Sequence, residues 1–168
     1  MMMKMRNWEK AFTMVFCLLM MLAVAGCGSK EKFTGSNWVS VHKGTTGIDN
    51  DVTIYTFEKN GKSFTCTKKT TDYIVRPVDD KVEKTEDEPS KEVGLVYDEK
   101  SNSLTIMGAP RYTYMSKDDT IVEQGNPQPL KKMSKEEIEK AKKDVQEHAQ
   151  KLADKRKEES KRYFNRLF

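Results

Sequence analysis

The side chains best suited to nucleophilic or metal chemistry are few: the thiols of Cys17, Cys27 and Cys66 and the imidazoles of His42 and His148. A catalytic site needs convergent groups, such as a nucleophile with its base, two facing carboxylates or a full ligand set. No zinc spacing, serine elbow or phosphate-cradling glycine loop occurs among these residues. Asp144 lies one helical turn before His148 and supplies at most half a metal site. Flanked by Glu147 and Gln150, that histidine reads as solvated. Asp49 and Asp51, and the run 79–92 with seven acidic residues and three lysines, raise the question of calcium. Neither has the Asp-x-Asp-x-Asp-Gly spacing with a later Glu, and the interleaved lysines oppose a divalent cation. The expectation is a non-enzymatic chain without metal or cofactor.

One thiol has a distinctive setting. Cys27 follows Val24-Ala25-Gly26 at the end of residues 11–26, sixteen positions without a charge, which are themselves preceded by Lys4, Arg6 and Lys10. Basic start, apolar middle and small residues at a cut are the three parts of a secretory signal. The apolar run falls short of the ~20 residues that cross a bilayer as a helix. An aliphatic residue, two small residues and a cysteine resemble the lipobox of bacterial lipoproteins. The resemblance implies cleavage after residue 26, acylation of Cys27 by diacylglycerol, and residence on the outer face of the cell membrane. Gly28, in place of an Asp, permits onward sorting to an outer membrane where the bacterium has one. An ordinary cleaved signal and an uncleaved anchor are the alternatives.

Of 30 Lys and Arg, three precede Cys27, and of 26 Asp and Glu, one does, which leaves 27 against 25. That balance is no nucleic-acid footprint. With Cys17 removed and Cys27 acylated, Cys66 has no thiol to pair with, so the fold must rest on its core. Cys66 sits in a strand pattern and reads as a small buried apolar residue.

The elements that follow are an α+β arrangement: a small antiparallel β-meander, barrel or sandwich, then one long C-terminal helix. Residues 28–36 read as a polar tether and 37–124 as the β-domain, with Trp38 its first packed residue. Residues 125–133 hold Pro127 and Pro129 and read as a stiff connector. Asn60-Gly61 is the preferred pair for a type I′ hairpin turn, closed by Lys59 and Lys62. That register places Phe57 opposite Phe64 and Tyr55 opposite Cys66. The charged run 79–92 reads as a solvated loop. Six or seven strands are expected, with Trp38, Tyr55, Phe57, Phe64, Leu95, Tyr97, Leu104, Ile106, Tyr112 and Tyr114 as the core. An early Trp followed by hairpins resembles, by pattern alone, the lipocalin-like domains of small bacterial lipoproteins.

Ser134 with Glu137 three residues later forms a capping box, and no Gly or Pro interrupts 134–168. Ile138, Ala141, Val145, Ala149 and Leu152 make a narrow apolar seam. The chain then ends in a basic-aromatic segment, 162–168. The function expected is a membrane-anchored binding or scaffold module whose partner is an envelope protein or a small apolar ligand. The alternatives are a helix that pairs with another protein as a coiled coil, and a terminal segment that lies on anionic membrane. The rival for the helix is that it folds back over the β-domain.

Overall fold

A computed structural model describes residues 29–167. The signal-like run, its cut and Cys27 lie outside the described residues. Nine strands follow a 3₁₀ turn at Ser29–Lys32: β1 Asn37–Lys43, β2 Asn50–Asn60, β3 Ser63–Val75, β4 Val82–Glu86, β5 Ser90–Asp98, β6 Ser103–Ile106, β7 Ala109–Met115, β8 Thr120–Glu123 and β9 Leu130–Met133. One helix, α1, spans Lys135–Leu167. The sheet runs β2-β1-β9-β8-β7-β6-β5-β3 and returns to β2, an antiparallel barrel of eight strands with no open edge between first and last. Among the described residues no helix is long and apolar enough to cross a membrane.

Two strands arise where the sequence suggested none. β4 forms inside the charged run and pairs with the far half of β3, Val82 opposite Val75, while β5 pairs with its near half. The two are nearly one continuous strand, broken at 87–89, where Pro89 has no amide to give the ladder. β9 lies in the stretch expected as a connector. It closes the barrel by pairing with β1 on one side and β8 on the other.

The β2–β3 hairpin is displaced by two positions from the expected register. Asn60 pairs with Ser63 and Phe57 with Cys66. Only Gly61, at φ +65°, enters the left-handed region at this turn, so the loop is Gly61-Lys62 with the type II′ pattern. Asn60 stays extended because its carbonyl accepts the Ser63 hydroxyl and its amide reaches Thr65. The displacement is even, so every side chain keeps its expected face. The type I′ turn lies instead between β6 and β7, where Met107 at φ +50° and Gly108 at +80° both turn left-handed.

Alternation divides the apolar residues into two cores. The inward set fills the barrel: Trp38, Tyr55, Phe57, Phe64, Cys66, Leu95, Leu104, Tyr112, Tyr114, Ile121 and Leu130, with Tyr97 and Ile106 partly buried. Phe33 belongs to it too, fully buried although it falls in the stretch expected as a tether. Its ring meets those of Phe57, Tyr97 and Tyr114 edge-on at 5.7 to 6.3 Å. The outward set, Val39, Val52, Tyr73 and Val75, is covered by Ile138, Val145, Ala149 and Ala153 of α1. Thus the helix covers the outside of a closed barrel, and the seam is occupied within the chain. The alanines let the helix axis approach the sheet closely, while Ser134 and Glu137 exchange the expected capping bonds at 3.2 and 2.7 Å.

Candidate functional site: the polar mouth of the barrel

Two cross-strand pairs face each other at one end of the barrel. β2 and β3 set Tyr55 opposite Lys68, and β7 and β8 set Tyr112 opposite Glu123. Glu123 is only 7% exposed. Lys68 Nζ reaches its Oε1 at 2.5 Å, and the Tyr55 hydroxyl donates to its Oε2 at 2.7 Å. The Lys68 ammonium also stands 5.5 Å from the ring centres of both Tyr55 and Tyr112. Arg111 joins the group, with Nη2 3.1 Å from Glu123 and Nε 3.1 Å from Glu92, while Glu92 accepts the Tyr112 hydroxyl at 2.6 Å.

Electrostatics follow from that packing. Burial pushes the Glu123 carboxyl up, but hydrogen bonds from Lys68 and Tyr55 and the charges of Lys68 and Arg111 hold it below the usual range. Burial and the neighbouring carboxylates push both tyrosines well above their ordinary values, so they remain phenols. Cys66, opposite Glu92 and beneath the network, is pushed up to about 11 by burial. A protonated, fully buried thiol is a poor nucleophile. The arrangement satisfies its own charges and closes the barrel.

The far end is closed in the same manner. Tyr114 donates to Asp119 at 2.7 Å, Lys132 pairs with Asp119 at 3.1 Å, and the Lys132 ammonium lies 4.9 Å from the Trp38 ring centre. The Trp38 indole donates to the Phe33 carbonyl at 3.1 Å, which fixes the entering chain across this end.

Of the described residues singled out in the sequence, His42 and Asp51 are neighbours across β1 and β2, and the others lie apart from them in no common ligand set. Nε2 of His148 donates to the Gly44 carbonyl at 2.9 Å, which pins α1 to the β1–β2 loop. Asp144 is exposed. Asp49 accepts from Thr46 within that loop. Asp51 pairs with His42 on one side and Asp72 on the other. Burial pushes Asp51 up, and burial with the charges of Asp87 and Asp51 does the same to Asp72. Among the described residues no group of three or more His, Cys, Asp or Glu could hold a metal.

Lys68, Arg111 and Glu123 escaped the sequence reading because each is an ordinary charge in an exposed-looking strand, and Glu92 because it ends the charged run read as a solvated loop. The signal for two of them was position: Lys68 shares strand parity with Phe64 and Cys66, and Glu123 with Ile121. Comparison of the chain with protein families, curated proteins and solved structures finds no match.

Proposed function

We propose that this chain is an exported lipoprotein, held at the envelope by acylated Cys27, whose barrel serves as a non-catalytic binding or scaffold module. The basic, apolar and small-residue sequence before Cys27 supports the address. The observation that carries the scaffold reading is the barrel interior, which is filled by aromatic and aliphatic side chains and capped at both ends by polar contacts. A carrier of small apolar molecules needs an interior space. Recognition therefore falls to the outer surface, and the partner favoured is an envelope protein rather than an apolar ligand. With Phe33 anchored in the core, only residues 28–32 separate the barrel from Cys27. Fully extended, that link reaches about 17 Å, so the body rides close to the bilayer.

The test is metabolic labelling with radioactive palmitate in a bacterial host, followed by membrane fractionation. The wild type is expected to carry label and to pellet with membranes. Cys27→Ser should lose both. Label retained on the serine variant would refute the anchor.

A further inference from the structure

Helix α1 packs on β1, β2, β3, β4 and β9, while β5 to β8 form the opposite side of the ring. On the outer face of those four strands stand large apolar side chains open to solvent: Val93 at 67% exposure, Val96 at 52%, Met115 at 44% and Val122 at 39%. Strand register joins them into one surface. Val96 lies beside Thr105 and Thr105 beside Pro110, Ser103 beside Thr113 and Thr113 beside Val122, and Met115 beside Thr120. The Ser103 and Thr113 hydroxyls bond each other at 2.8 Å, and Thr105 donates to the Val96 carbonyl at 3.0 Å, so these polar groups are satisfied within the face. Among the described residues of β5 to β8, the outward positions hold two charges, Lys91 and Asp98, one near each end of β5. Asp98 is turned to the Lys100 amide and the Ser101 hydroxyl, and Arg111, at the β7 bulge, is turned to Glu92 and Glu123. In a chain that is 33% charged, this flank is a place from which charge is kept away.

We propose that this flank pairs with the same flank of a second copy, the two barrels standing side by side about a two-fold axis along their length. A two-fold contact sets a patch against its own image, so a patch of one charge repels itself and an uncharged one does not. The face lacks the basic and aromatic side chains with which a protein surface settles on lipid. The chain enters the barrel at the end where Trp38 holds the Phe33 carbonyl, and β5 to β8 lie along the wall that rises from that end. Two copies anchored through Cys27 in one leaflet stand on the same end, which brings their bare flanks level. Four strands ~4.8 Å apart and about five residues long give a face of roughly 300 Å². A stable soluble complex covers about 800 Å² on each partner. The pairing therefore rests on the lipid anchor proposed above for its strength, because confinement to one leaflet raises the local concentration of the second copy. Released from the membrane, the protein is a monomer.

The experiment expresses the full-length chain in a bacterial envelope as two differently tagged copies, with Val122→p-benzoylphenylalanine as a photo-crosslinker. Illumination is expected to join the two tags in a band of twice the mass whose crosslinked peptide maps to residues 91–122. Val96→Lys with Met115→Lys in both copies sets like charges face to face and should lower that yield roughly tenfold. Pairing this form with a copy carrying Val96→Glu and Met115→Glu sets opposite charges across the contact and should restore the yield. Both positions are exposed, and thermal melting of each variant shows that it is folded. Cys27→Ser is expected to lose the band, and a serine form that keeps it would overturn the dependence on the leaflet. A crosslink to lipid or to a different protein would overturn the pair, as would a yield indifferent to the charges. The palmitate label keeps the two readings apart. A labelled wild type without the twice-mass band refutes the pair alone, and an unlabelled wild type that gives the band refutes the anchor and upholds the pair.

Discussion

Lys68 and Glu123 lie 55 residues apart in the chain, yet Nζ and Oε1 are 2.5 Å apart at the mouth of the barrel. The carboxylate holds two cations and a phenol at once, so its loss leaves Lys68 and Tyr55 without their carboxylate partner, while Arg111 keeps Glu92. Glu123→Ala is expected to destabilise the fold by about 3 to 5 kcal/mol, the usual result of removing one member of a buried ionic group. Glu123→Gln should cost less because its amide oxygen still accepts from Tyr55. Urea midpoints of the two variants test the ranking. Equal, small losses would show that the network contributes little.

Stability should peak on the acid side of neutrality. Asp51 and Asp72 have folded-state values raised by burial, so each carboxylate costs stability above its folded pKa, and the cost fades as pH falls through that value. Glu123 behaves oppositely: its contribution is present above its unfolded value and is lost as pH falls through its lowered folded one. On acidification from neutral, stability therefore rises first and then falls below about pH 4. Asp72→Asn should raise the neutral-pH stability and shrink the early rise. Urea midpoints against pH measure both effects, and a steady fall from neutral pH with no change in Asp72→Asn would contradict them.

Phe33 separates the packed body from the link before it. Phe33→Ala is expected to cost about 3 to 5 kcal/mol, as for other fully buried phenylalanines, whereas a residue in a solvated tether would cost nothing measurable. A calorimetric melt decides between them.

Met107 is an L-residue at φ +50° whose side chain is fully exposed, so it carries the strain of a left-handed turn with no packing in return. Met107→Asn should stabilise the protein by about 0.5 to 1 kcal/mol, because asparagine tolerates that conformation better. A rise in melting temperature is the expected reading, and a fall would show that the methionine makes a contact of its own.

The two parts of α1 should respond differently to truncation. Ending the chain after Ser160 removes a segment whose side chains at 161–166 are all exposed and should leave the melting transition nearly unchanged. Ending it after Met133 bares Val39, Val52, Tyr73 and Val75 and should cause aggregation or loss of the cooperative transition. Light scattering during thermal melts distinguishes the outcomes.

Much of this architecture was legible in the sequence where the signal was local. Period-two aromatics gave the inward face of β2 and β3, and Ser134 with Glu137 gave the helix start. What escaped depends on partners distant in the chain. β4 has the composition of a solvated loop and forms because β3 is long enough to pair with it after β5 has ended. β9 has only four residues and exists because β1 and β8 leave a gap of one strand. Phe33 looks like a lone aromatic in polar sequence, and only the end of a closed barrel gives it a place. Asn60-Gly61 had the right residues for a type I′ turn, but side-chain bonds from Ser63 and to Thr65 hold Asn60 in the strand.

Intact-mass spectrometry of the chain purified from bacterial membranes addresses the central claim, that this barrel is tethered by lipid a few residues from its core. The account predicts a polypeptide that begins at Cys27 and carries the added mass of a diacylglyceryl group. A free thiol at that position, or residues 1–26 still attached, would contradict it.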